Sequence, residues 1–324
     1  MTERLVINQD IYPEVKVEGA VFDQLLRSVP VVRLKGINQF GVPDEFYHLK
    51  NFSRFEHSVG VMLLLKKLGA SEEEQIAGLL HDVSHRALLH VYDGVVNDYT
   101  KPGNNEEAAD RNHANFILDS ELVSVLVNNG YDPRRIANTK NFGLLEQPSP
   151  RLCADRLDYA FREMPNELVQ EFSEELIVHW GRILFVDREG AKIFGNAFLD
   201  LQKRHWGSWE ATVRHHILAQ TLKRALKVGI IEEQDFLTED AAVIGKLERS
   251  QDQKIERNLG VLKLNPLPSL RGRVITIYKE FRYVDPEFFW KGTLVKLSEV
   301  DMDFKSKLVS ARFSSRKGIL APVI

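Results

Sequence analysis

LLHDVSHRALLHVYD, residues 79–93, sets His81 and Asp82 side by side at the end of an apolar helical pattern. Ile76, Leu79, Leu80 and Val83 recur at the i, i+3, i+4, i+7 spacing of one buried helix stripe. An ionisable pair in such a stripe costs on the order of several kcal/mol unless something compensates it, so the pair is expected to bind a partner. Upstream, RFEHSVG at 54–60 carries His57 into a second helix, with Val61, Leu64, Leu65 and Leu68 at the same spacing. Downstream, RLCADRLDYAFRE at 151–163 carries Asp155. On a helix through that third segment, Arg151, Asp155, Asp158 and Arg162 share one face, while Ala154, Leu157 and Phe161 form another that can pack.

His57, His81, Asp82 and Asp155 together offer imidazole and carboxylate donors. Imidazole suits the intermediate divalent ions and carboxylate the hard ones. The set is therefore expected to hold a divalent metal (Mg, Mn, Fe, Co, Ni or Zn), with positions left for water and a phosphate oxygen. The single cysteine, Cys153, excludes both an internal disulfide and a multi-cysteine zinc cluster.

Of the 324 residues, 43 are basic and 46 acidic, giving a formal net charge of -3. Mixed along the chain, these charges raise no broad cationic field, so a nucleic-acid duplex is not the expected partner. The N-terminus has Glu3 behind Met1 and no apolar run, and the aliphatic stretch near Val61–Leu65 is far shorter than a bilayer span. A cytoplasmic protein without a membrane partner is expected, with a homo-oligomer left open.

The fold expected is mainly α: an N-terminal extended arm or hairpin over 1–20, a helical catalytic domain over 21–260, and a small α/β subdomain over 261–324. Helices are anticipated near 106–127, 150–164, 172–180, 190–205, 209–228, 238–246 and 252–259. The polar run 94–112 with Pro102-Gly103 reads as a surface loop or flap. After Pro266 and Pro268, residues 273–283 and 292–297 turn β-branched and aromatic, the texture of strands.

His57, then His81-Asp82, then Asp155 resembles the H...HD...D signature of the HD superfamily of metal-dependent phosphohydrolases. RFEHSVG is similar to the form it takes in deoxynucleoside triphosphate triphosphohydrolases. The resemblance spans roughly residues 21–260. It implies a helical core with metal at its centre and water attacking phosphorus in a small phosphate substrate, a nucleotide. It further implies that His85, His90, Asp93 and His113 line the reaction centre, with His90 or His113 moving protons. Arg54 and Arg156 would touch substrate phosphates, and Tyr159 would line the pocket. Histidine suits such a role because its unperturbed pKa lies near working pH.

The resemblance departs near Trp209–His216, where related triphosphohydrolases supply arginine and tyrosine. WEATVRHH places Val213 at the tyrosine position and leaves Arg214, His215 and His216. Three readings stay open: a triphosphohydrolase, a monophosphatase or phosphodiesterase using the same centre, and a nucleotide-sensing module without turnover. His48, His179, His205, His215 and His216 lack motif context and are expected to serve packing.

Overall fold

The computed structural model describes residues 5–6, 11–12, 16–102, 112–268 and 272–323. Helices dominate, and two of them form the centre. Arg54–Lys67 starts at a capping box: Ser53 Oγ accepts from Glu56 N, and the Glu56 carboxylate accepts from Ser53 N. Val59, Val61, Met62, Leu63, Leu64 and Leu65 are all buried, so the helix is covered on every side rather than along one stripe. The Glu72–Leu80 helix, capped by Ser71, packs along it and ends at His81.

Ala154–Phe161 crosses the first turns of the Arg54 helix, and Gly60 permits the approach. A Cβ there would collide with the Asp158 carboxylate and the Arg162 guanidinium. The long Trp209–Lys227 helix covers the Leu89–Val96 and Gln253–Leu262 helices.

At the N-terminus Leu5–Val6 pairs antiparallel with Lys16–Val17, as a hairpin requires. The helix expected near 106–127 is two short ones, His113–Leu118 and Leu122–Asn128. Ser120 breaks the run by bonding Ile117 O through its hydroxyl and accepting from Leu122 N. The start of that prediction, with about half of the anticipated flap, falls on 103–111, outside the described residues, and the first flap residues, 94–96, instead close the Leu89–Val96 helix.

The helix expected at 172–180 is also corrected. It runs Asn166–Glu175, and Leu176–His179 is a strand paired with Arg182–Phe185. Trp180 and Gly181 both have positive φ, the geometry of a two-residue hairpin turn, and β-branched Ile177 and Val178 favour the strand.

The C-terminal strands interleave with this helical body. Val274–Ile277 pairs with Ile319–Pro322 against the Trp209 helix, and the Glu287–Trp290/Thr293–Lys296 hairpin lies against Arg182–Phe185 and the Arg188–Leu201 helix. Phe288 is fully buried there, so this aromatic packs rather than offering a stacking platform. Among the described residues no helix is long and apolar enough to cross a membrane.

Candidate functional site

Three helix termini converge on one point. The capping box fixes the turn that carries Arg54 and His57, the end of the Glu72 helix delivers His81, and the following turn brings in Asp82 and His85. Ala154 N and Asp155 N donate to Leu144 O and Leu145 O, which sets Asp155 in the opening turn of its helix. His57 Nε2 lies 3.0 Å from Asp155 Oδ1 and 3.2 Å from His81 Nε2, and His81 Nε2 is 3.7 Å from Asp155 Oδ1. Asp82 flanks this trio, with Oδ1 3.4 Å from His81 Nε2 and Oδ2 3.9 Å from His57 Nε2.

The spacing and the orientation of these donors fit a metal. His57 Nδ1 bonds Asp158 Oδ2 at 2.7 Å and His81 Nδ1 bonds Gly78 O at 2.7 Å. Both outer nitrogens therefore carry the proton, and both Nε2 lone pairs face the same point. Ligand atoms each about 2.1 Å from one ion stand roughly 3.0–3.5 Å apart, close to the separations seen. Facing lone pairs repel unless a cation lies between them, and His57, His81 and Asp155 could hold one.

Without metal, a proton fills the gap. Burial disfavours charge on His81, but Asp82 and the Asp155 hydrogen bond outweigh it and raise its pKa to about 9. His57 is raised too, burial being overcome by Asp155 and Asp158. Asp155 is correspondingly held well down, its burial outweighed by the two histidines.

The remaining anticipated residues divide. Arg54 is buried and donates to Asp82 Oδ2 at 2.6 Å, to Gln39 O and to His90 Nε2, each at 3.2 Å. His85 Nε2 is 3.2 Å from Asp82 Oδ1, and burial with the Arg54 charge keeps this ring neutral. His113 stands at the cavity wall with Nδ1 3.3 Å from Ser84 Oγ. Burial, then the neighbouring His81, lowers His113 to about 4. His90 and Tyr159 also line this cavity, whereas Asp93 stands behind His90 at 3.7 Å and borders a neighbouring one.

Arg156 is a correction. Its guanidinium donates to Gln147 O, Arg151 O and Cys153 Sγ, and it does not line the cavity. One residue along a helix is a rotation of about 100°, so the neighbour of Asp155 cannot share its face. Val213 is buried, and Arg214 is tied to Phe46 O, Leu262 O, Leu264 O and Glu210. Neither serves the cavity.

The metal-side cavity, about 670 Å³, is lined among others by Gln39, Arg54, Lys140, Glu146, Tyr159 and Arg282. A second, of about 120 Å³, adjoins it, and His90 and Arg282 belong to both walls. Sequence reasoning missed Asp158 as a support: it takes His57 Nδ1, Tyr12 Oη at 2.9 Å and Arg162 Nε at 2.7 Å. Its position one helical turn after Asp155 was the available signal. Asp240 was also missed. It accepts from Leu88 N and Asn38 N and holds the turn before His90, where Leu88 adopts φ 55. That conformation costs about 1–3 kcal/mol in a non-glycine residue.

A buried helical cluster of two histidines and an aspartate beside a histidine-rich cavity defines the class, and the comparisons agree with it. The family model described as HD domain matches residues 54–159. The uncharacterized protein YdhJ of Bacillus subtilis is 33% identical, over 98% of this chain and 99% of its own. The metal-dependent phosphohydrolase cns2 of Cordyceps militaris is 29% identical, over 89% of this chain and 86% of its own. A solved phosphohydrolase from Bacteroides thetaiotaomicron superimposes with TM-score 0.67 over 95% of this chain and 97% of its own, at 16% identity, and so shares the fold. The chain belongs to the HD-domain family and is a hydrolase of the metal-dependent phosphohydrolase class.

Proposed function

We propose that His57, His81 and Asp155 hold one divalent ion, with Asp82 at its edge, and that the adjoining cavity receives a nucleotide or similar small phosphate ester for hydrolysis by water. The observation that carries this reading is the pair of facing Nε2 atoms whose outer nitrogens are committed to Asp158 and Gly78. A bound ion supplies Lewis acidity toward the phosphoryl oxygen and lowers the pKa of its water. His113, held neutral by burial at the cavity wall, would take up a proton from the attacking water and, once protonated, hand it to the leaving oxygen. Arg54 holds Asp82 in place through its 2.6 Å bond, while a second nitrogen reaches His90.

Of the substrate readings, hydrolysis of a monophosphate is favoured over release of triphosphate. Arg156 is engaged with backbone carbonyls and Val213 stands where a tyrosine was sought, so two elements expected to hold a polyphosphate are missing from the cavity. The cavity's own cations are Arg54, Lys140 and Arg282, against Asp82, Glu146 and Asp155. A screen of nucleoside mono-, di- and triphosphates, cyclic nucleotides and generic phosphate esters with Mg, Mn and Co tests this, with products separated by chromatography. Inorganic phosphate released fastest from monoesters is the expected result. Intact triphosphate released from nucleoside triphosphates as the main reaction would overturn it.

A further inference from the structure

The two adjoining cavities differ in chemistry. The metal-side one carries His81, Asp82, His85, His113 and Asp155, whereas the smaller one sets Phe40, Tyr47, Tyr99 and Trp206 among polar side chains that include Lys279, Asp98, His215 and Glu280. Lys279 Nζ donates to Trp206 O at 3.1 Å, and the Arg282 guanidinium lies 5.6 Å over the ring of Tyr159, which lines the metal-side cavity. Both cations come from outside residues 54–159. Tyr278 N bonds Tyr99 O at 2.8 Å and Arg282 N bonds Gln202 Oε1 at 3.3 Å, so their segment is anchored on either side of Lys279.

Resting on the phosphohydrolase reading above, we propose that Arg282 and Lys279 select the ester that is cut. Arg282 binds a phosphate oxygen where the two cavities meet, and Lys279 donates to an oxygen or nitrogen acceptor on a flat leaving group lodged among Phe40, Tyr47 and Trp206. The leaving group is thus of the nucleoside kind, a planar ring bearing hydrogen-bond acceptors. An aliphatic leaving group would fill the aromatic walls but offer the Lys279 amine no acceptor. Burial, then the nearby Arg282 charge, lowers the amine to about 7, and an acceptor that favours the charged form should raise it again.

Product binding separates the two roles without turnover. Calorimetric titration of the metal-loaded enzyme with inorganic phosphate, and with adenosine, guanosine, cytidine and uridine, gives the wild-type affinities. Lys279→Met should weaken the best-bound nucleoside about tenfold and leave phosphate within about twofold. Arg282→Ala should weaken phosphate about tenfold, and Arg282→Lys should recover part of it, because a point charge replaces a fork. Thermal melting and metal content of each variant, unchanged from wild type, exclude misfolding; Lys279→Gln serves if Lys279→Met fails that control. A wild type that binds phosphate but none of the nucleosides overturns the proposal and leaves the metal reading standing, as do variants that bind both products like wild type. A wild type that binds neither and cleaves no ester in the screen overturns the phosphohydrolase reading itself.

Discussion

Residues 54–159 and the segment 278–283 both wall the same cavity, but they do so by different physics. The first delivers its donors through helix termini: a capping box, a helix end and a helix start fix His57, His81 and Asp155 to within 3.0–3.7 Å of one another. The second delivers Lys279 and Arg282 from irregular chain between a strand and a hairpin, held by hydrogen bonds to Tyr99 and Gln202. Rigid elements suit a centre that must place lone pairs on one point. A loop wall tolerates change, so substrate choice can vary while the centre stays fixed.

The contrast breaks first at the centre. His81→Ala and Asp155→Asn should reduce metal from about one ion per chain to near none and abolish hydrolysis, since each removes a direct donor. Arg282→Ala should keep its metal. Elemental analysis of the three variants checks both statements, and equal metal in all of them would erase the distinction between the regions. Next in size is His113→Ala, expected to lower kcat by about 10²–10⁴-fold with metal retained, as loss of a proton carrier does. An unchanged rate would reduce His113 to a packing residue.

Asp158→Asn tests positioning rather than ligation. The amide can still accept from His57 Nδ1 but no longer presents an anion to it, and metal affinity should fall about 10–100-fold in competition with a chelator. Parallel melting curves distinguish this from unfolding, because Asp158 also holds Arg162 and Tyr12.

The smallest effect is a slope. Metal needs the His81 Nε2 lone pair, and the metal-free ring is raised to about 9, so below that pH each binding event releases a proton. Affinity should therefore climb with pH, by up to about tenfold per unit for each proton released, and level off near 9. A flat profile from pH 6 to 9 would mean that no proton leaves His81 on binding, so that the metal-free ring is already neutral there.

The same contrast explains what the sequence disclosed. His57, His81, Asp82 and Asp155 were legible because each interrupts an apolar helical pattern where charge is costly. Asp158 was half legible: its face was readable, its bond to His57 was not. Arg156 was expected at the phosphates from the resemblance alone; a helix turns the residue after Asp155 away, and its guanidinium goes to Gln147 O and Arg151 O. Lys279 and Arg282 left no signal, since 273–283 reads only as strand-forming texture and its place against Tyr159 follows from tertiary packing. Leu176–His179 was expected within a helix and is a strand; β-branched Ile177 and Val178 and the turn at Trp180-Gly181 decide it.

The most direct test of the centre is crystallographic: crystals grown with manganese, with anomalous scattering recorded at a wavelength where that ion alone contributes strongly. A strong peak about 2.0–2.3 Å from His57 Nε2, His81 Nε2 and an Asp155 carboxylate oxygen is the predicted result. A fully occupied peak elsewhere, or none at this point while the protein in solution carries stoichiometric metal, would contradict it.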